Sequence, residues 1–247
     1  MATWIKADVV ENQHWTKDLF SLVLSAPVSP FTAGQFTKLG MEIDGKLIQR
    51  AYSFVNPPQS KYLEVYATRV ADGLMSPRLH ALEPGDNVMI TQDPAGYFTL
   101  DEVPPGQHLW MIATGTAIGP YISLMEQGDV WSRFRKIILV HAVRFAADLT
   151  YQARINALAE KYPDQLVVQP FVSREPTAGA LSGRITHALD DGLLERVVGL
   201  PLTPEHSQVM LCGNPAMVKE VKTLLEGKGL SKNLRRKPGN VTTEHYW

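Results

Sequence analysis

Leu109-Trp110-Met111-Ile112-Ala113-Thr114-Gly115-Thr116-Ala117-Ile118-Gly119-Pro120 is the stretch on which the fold turns. Residues 109–113 form an unbroken apolar run, the pattern of a strand covered on both faces in a parallel sheet. A Gly-rich turn follows, and residues 119–126 read as a helix. Such a strand-to-helix turn lets backbone amides approach a pyrophosphate, and the helix dipole favours its negative charge. Ala117 stands where a full G-x-G-x-x-G has its middle glycine, so taken alone the turn is equally well a plain tight turn.

Toward the C-terminus the rhythm repeats. Residues 137–143 read as a strand, 151–162 as an amphipathic helix and 166–172 as a strand. A helix within 185–198, a strand at 208–212 and a helix at 215–225 follow. Strands alternating with helices predict a parallel sheet with crossover connections. The strand ends carry polar residues: Arg144 after Val143, Ser173-Arg174 after residue 172, and Arg184 a short loop later. In an open parallel sheet these carboxyl ends form the ligand crevice, and guanidinium forks match phosphate oxygens. The cluster suits the 2′-phosphate of NADP; singly, each arginine is equally an ordinary surface charge. Cys212-Gly213-Asn214 is a further strand-to-helix junction. Its thiol would touch a nicotinamide, with a pKa lowered by the helix start, or would be a small buried apolar residue.

Toward the N-terminus, residues 4–100 hold short strand-like runs, among them 19–24, 35–39, 47–55, 62–70 and 87–91. Pro- and Gly-rich breakers such as Asp44-Gly45 and Glu83-Pro84-Gly85-Asp86 separate them. One helical patch covers 75–82. This predicts a small antiparallel barrel or sandwich. The Pro104-Pro105-Gly106 break divides the chain into residues 1–103 and 104–247. In Arg50-Ala51-Tyr52-Ser53, a phosphate-binding cation, a stacking ring and a hydroxyl lie within four residues, although an ordinary barrel strand reads the same way.

Composition narrows the rest. The chain has 247 residues, 45% hydrophobic, with Lys+Arg 24 against Asp+Glu 25. That is enough apolar content for two folded domains, and it lacks the basic excess of a nucleic-acid binder. No secretory signal opens the chain, and no apolar run approaches the roughly 20 residues of a membrane span, so a cytoplasmic protein is expected. The single cysteine excludes internal disulfides and a four-thiolate cluster.

The order Arg50-Ala51-Tyr52-Ser53, Gly115-Thr116-Ala117-Ile118-Gly119-Pro120, Cys212-Gly213-Asn214-Pro215-Ala216-Met217 resembles the ferredoxin–NADP reductase family. The terminal Glu244-His245-Tyr246-Trp247 makes the chain most similar to its bacterial ferredoxin/flavodoxin branch. The resemblance spans essentially the whole chain. It implies a six-stranded antiparallel β-barrel binding FAD, followed by an α/β parallel-sheet domain binding NADP(H), and no metal.

Carried over residue by residue, it places Arg50 on the FAD pyrophosphate, Tyr52 on the isoalloxazine and Ser53 near flavin N5, with Ala51 between them. Tyr66, Ala67 and Thr68 would pair with the ring edge, and Leu74, Met75 and Ser76 would offer amides to the FAD phosphates. Thr116 would approach both flavin and nicotinamide. Tyr246 and Trp247 would return to FAD as an aromatic tail. Gly115, Val143, Arg144, Ser173, Arg174, Arg184, Cys212, Gly213 and Asn214 would bind NADP, with Ser173, Arg174 and Arg184 around the 2′-phosphate.

The implied chemistry passes hydride between nicotinamide and flavin. Ser53, Cys212 and Glu244 are the catalytic candidates, Glu244 relaying a proton or orienting the ring. With no cluster of its own, the chain would need ferredoxin or flavodoxin as a separate one-electron partner. Lys228, Lys232, Arg235, Arg236 and Lys237 form a basic stretch that would steer an acidic carrier, or would be a solvated face. A monomer is expected. The rival readings are a reductase serving an oxygenase or free flavin, and a nucleotide-binding protein without turnover.

Overall fold

The computed structural model describes residues 2–245. Its contacts divide the chain into two units: residues up to Thr99 together with Gly119–Gln127, and Leu100–Ile118 together with Gly128 onward.

The first unit is built from β1 (Trp4–His14), β2 (Leu19–Ser25), β3 (Phe36–Ile43), β4 (Lys46–Ser53), β5 (Leu63–Thr68), the short helix α1 (Ser76–His80) and β6 (Asn87–Thr91). The strands form one antiparallel sheet in the order β4-β3-β6-β1-β2-β5. A bridge between Phe54 and Val65 joins its two ends, so the sheet curls toward a barrel. Asp44 and Gly45 supply the turn between β3 and β4, both with positive φ (50° and 72°). Two successive left-handed residues match the twist of a two-residue hairpin, which is why Asp-Gly serves there. Phe20, Leu22, Leu24, Leu39, Phe54 and Ile90 are wholly buried and fill the interior.

The second unit opens with β7 (His108–Thr114), whose 109–113 segment is buried throughout. A 3₁₀ turn, Gly115–Ile118, leads into α2 (Gly119–Gln127). The chain continues through α3 (Asp129–Arg133), β8 (Lys136–Val143), α4 (Gln152–Lys161), β9 (Leu166–Val172), β10 (Leu181–Ser182), α5 (Ile185–Asp190), α6 (Leu193–Val198), β11 (Ser207–Gly213), α7 (Pro215–Gly227) and β12 (Val241–His245). The parallel sheet has the order β10-β9-β8-β7-β11-β12. The chain moves outward from β7 in one direction, then returns to build on its other side, so the switch point lies between β7 and β11.

Three features depart from the local patterns. The helix α2 packs with the first unit. Its Ser123 hydroxyl donates to the Asn56 carbonyl at 2.8 Å, and Gln127 accepts from the Ala33 amide at 3.2 Å. The helical stretch at 185–198 is two helices, because Gly192 takes a left-handed conformation (φ 73°) between them. The tail forms β12, parallel to β11. No helix among the described residues is long and apolar enough to cross a membrane.

Candidate functional site

At the switch point two turns are locked together. Gly213, ending β11, has φ +133°, and a Cβ there would lie 2.1 Å from the Thr114 Oγ1 that ends β7. Thr114 Oγ1 in turn accepts the Asn214 amide at 2.9 Å. The Asn214 side chain then caps α7, accepting from the amides of Ala216 (2.9 Å) and Met217 (3.4 Å), with Pro215 preset for the first helical position. Gly115 begins the neighbouring turn with φ +56°, and a Cβ on it would meet nothing within 4 Å. A bare backbone facing open space at the carboxyl end of a central parallel strand fits close approach by a dinucleotide.

Beneath this turn sits His141 of β8, 2% exposed. Its Nε2 donates to the Gly115 carbonyl at 3.0 Å. Burial, only partly offset by that hydrogen bond, pushes its pKa down from 6.5 to about 4. A folded-state pKa below the unfolded value means that protons favour the unfolded chain. The stabilisation is therefore complete above pH 6.5 and drains away as pH falls toward about 4. The full difference is about 3 kcal/mol. Melting curves from pH 7 to pH 4.5 are expected to lose more stability in the wild-type chain than in His141→Gln; parallel losses would refute this.

The 2′-phosphate candidates stand at neighbouring strand ends. Val143 pairs in register with Val172, and Val172 with Ser182. Arg144, Ser173, Arg174 and Arg184 therefore follow three adjacent strand ends. All four are exposed, whereas Val143 is buried. The backbone ties two of these ends together: the Arg174 amide donates to the Arg144 carbonyl at 2.9 Å, and the Ser173 hydroxyl to the Val143 carbonyl at 3.2 Å.

Cys212 is fully buried, and β12 places Glu244 opposite it in register. Burial first and the Glu244 charge second raise the thiol's pKa well above its ordinary value. The helix start thus does not lower it, and the side chain is a neutral, compact apolar group.

In the first unit, Arg50 and Ala51 are exposed on the edge strand β4, Tyr52 is half-buried and Ser53 is 7% exposed. Strict alternation predicts Ala51 and Ser53 alike; they differ because the strand end at Ser53 runs into the Phe54 closure while Ala51 stays on the open edge. Burial, opposed by the Arg50 cation, pushes the Tyr52 phenol up to about 12, so it remains a neutral hydrogen-bond donor. Tyr66 and Ala67 are buried and Thr68 is exposed near the end of β5, the other terminal strand of the sheet. Arg69 holds that end through a 2.6 Å ion pair with Asp18.

Leu74 is exposed and Met75 buried, while the Ser76 hydroxyl accepts the Val70 amide at 2.9 Å. Pro77 contributes no N–H, and the Arg78 and Leu79 amides are turned to the Met75 carbonyl, which leaves the helix start to the amides of residues 74–76. Tyr246 and Trp247 lie outside the described residues.

Thr116, 4% exposed, lies within the 3₁₀ turn. Thr114 and His141 escape a reading of motifs. The available signal was a lone histidine inside the apolar run Ile137-Ile138-Leu139-Val140 and a hydroxyl immediately before Gly115.

The oxidoreductase FAD-binding domain model matches residues 6–100, and the oxidoreductase NAD-binding domain model residues 111–223. A flavodoxin/ferredoxin–NADP reductase of Escherichia coli (strain K12) is 53% identical, covering all of both chains. A ferredoxin–NADP reductase of Pseudomonas aeruginosa is 33% identical over 96% of this chain and 95% of its own. The crystal structure of a ferredoxin NADP+ reductase from Neisseria gonorrhoeae with bound FAD and NADP superposes with a TM-score of 0.94 at 31% identity, covering both chains fully. Identity above half, sustained from end to end across both sheets, carries the conclusion that the chain belongs to the flavodoxin/ferredoxin–NADP reductase family.

Proposed function

We propose that the protein is an FAD-dependent oxidoreductase moving electrons between NADPH and ferredoxin or flavodoxin, as a monomer in the cytoplasm. Residues 1–103 serve FAD and residues 104–247 serve NADP(H). The observation that carries the nucleotide assignment is the set of exposed arginines 144, 174 and 184 on adjacent parallel strand ends, beside the open backbone of Gly115. Full-length similarity to reductases supports the rest.

Bound flavin supplies the exchange between paired electrons and single ones. The chain supplies position and polarity. Arg50 neutralises FAD phosphate, aided by backbone at Leu74, Met75 and Ser76. Tyr52, a neutral phenol, would pack on the isoalloxazine with Ala51 beside it in β4, and Tyr66, Ala67 and Thr68 at the end of β5 would pair with the ring edge. Ser53 would donate a hydrogen bond near flavin N5. Gly115, Thr116, Gly213 and Asn214 bound the dinucleotide. Cys212 acts as packing that keeps water out, because its thiol stays protonated. Glu244 holds a proton or orients the nicotinamide.

The basic stretch is smaller than its sequence count. Lys228 is paired with Glu195 at 2.6 Å, and Arg235 lies 3.6 Å from Glu102. Lys232, Arg236 and Lys237 remain exposed, the last two in the tight turn closed between Leu234 and Lys237. We assign the steering of an acidic carrier to these three. The test is anaerobic: purified yellow protein should bleach on NADPH and pass electrons to added ferredoxin or flavodoxin, several-fold more slowly at high salt. A colourless protein that does not respond to added FAD would refute the function; salt-independent carrier reduction would refute the steering.

A further inference from the structure

A buried histidine near the carboxyl end of a central parallel strand needs a reason. His141 lies between Val140 and Ala142, with Ala113 of β7 and Pro170 of β9 beside it in register. Leucine or methionine would fill the place without burying polar atoms. The imidazole is instead half satisfied. Nε2 donates to the Gly115 carbonyl, and Nδ1 has no hydrogen-bond partner among the described residues. A carbonyl only accepts, so this contact selects the tautomer with its hydrogen on Nε2 and leaves Nδ1 bare. Burying such a ring is costly, and the contact with Gly115 is what the protein gains from it.

That contact governs more than one atom. The Gly115 carbonyl and the Thr116 N–H belong to one planar trans peptide and point in opposite directions. Holding the carbonyl down against β8 therefore fixes which way the whole peptide faces. Glycine at φ +56° has no Cβ to resist a flip of this plane, so its orientation is held by the 3₁₀ turn that starts there and by the grip of His141 from the neighbouring strand. Thr114 anchors the preceding residue to the Gly213-Asn214 turn, but its hydroxyl acts on Asn214, one peptide short of the flip.

We propose that His141 is a positioning residue: it locks the Gly115–Thr116 peptide in the orientation that receives the pyrophosphate–nicotinamide part of NADP(H). The inference rests on the NADP(H) reading above. It separates two ends of one ligand, because the arginines on the strand ends hold the adenosine 2′-phosphate without help from this peptide.

The experiment compares FAD-loaded wild-type, His141→Leu, His141→Gln and His141→Asn proteins. Calorimetry measures their affinity for NADP+ and for adenosine 2′,5′-bisphosphate, which lacks the nicotinamide half. Steady-state assays with ferricyanide then separate KM for NADPH from kcat. His141→Leu should bind NADP+ about tenfold more weakly while the bisphosphate stays within twofold, with KM rising more than kcat falls. The glutamine amide nitrogen falls near the position of Nε2 and should restore NADP+ binding to within about threefold. Asparagine, which reaches only as far as Nδ1, should behave like leucine. If the leucine variant fails to fold, the glutamine–asparagine pair carries the same test. Wild-type affinity in His141→Leu, equal weakening of both ligands, or glutamine no better than asparagine would each overturn the proposal. Wild-type protein that bound neither ligand would remove the NADP(H) reading itself, and this inference with it.

Discussion

Arg174→Ala is expected to raise KM for NADPH between tenfold and a hundredfold while leaving kcat/KM for NADH within about twofold. A hydrogen bond from a guanidinium to phosphate contributes about 1.5–3 kcal/mol, which is that range of affinity. The lower end is the better expectation, because Arg174 is exposed and salt screens it. Its backbone amide is tied to the Arg144 carbonyl, so truncating the side chain should leave the strand ends where they are. Arg184→Ala should act in the same direction, since its position follows Ser182, the register partner of Val172. The check is steady-state kinetics with both dinucleotides and a small acceptor. Equal losses with NADPH and NADH would show that these arginines do not read the 2′-phosphate.

Gly213→Ala should be a strongly damaging single-methyl change at the candidate site. The new Cβ would sit 2.1 Å from Thr114 Oγ1, 3.0 Å from its amide nitrogen and 3.1 Å from its carbonyl oxygen. The latter two are backbone atoms of a central strand and cannot swing aside. The φ of +133° adds strain, because side chains avoid that region. Together the costs are about 2–5 kcal/mol, a fall in Tm of roughly 5–15 °C for a protein of this size. The same clash pushes Thr114 off the Asn214 amide, so dinucleotide affinity should fall even where the protein stays folded. Gly199→Ala is the control: its φ is +72° but nothing lies within 4 Å, so only the backbone cost of about 1 kcal/mol applies. Similar melting temperatures for the two variants would refute the steric argument.

Much of the fold was legible in the sequence because its signals are local. Residues 109–113 are apolar without interruption because β7 is covered on both faces, and Asp44-Gly45 marks a hairpin because that turn needs two positive φ angles. The strand-end arginines could be placed because parallel strands separated by helices put all their carboxyl ends on one edge. Periodicity and turn chemistry are written residue by residue, so they survive without coordinates.

What the sequence alone determined was an antiparallel unit followed by a parallel one, most of their elements in order, and which residues stand at the strand ends of the parallel sheet. Only the tertiary structure decided which distant groups meet. Val241-Thr242-Thr243-Glu244-His245 carries one strongly apolar residue and pairs through its backbone, so nothing in its side chains announces β12 or the place of Glu244 beside Cys212. Burial, which acts through everything packed around a group, raised the pKa of the Cys212 thiol and decided between its two readings in favour of the small buried apolar residue. Ion pairs with Glu195 and Glu102 removed Lys228 and Arg235 from the free basic charge. The hold of His141 on Gly115 spans 26 residues of chain. A contact between residues far apart in sequence has no local pattern, because it is made by the closing of the sheet rather than by the residues between.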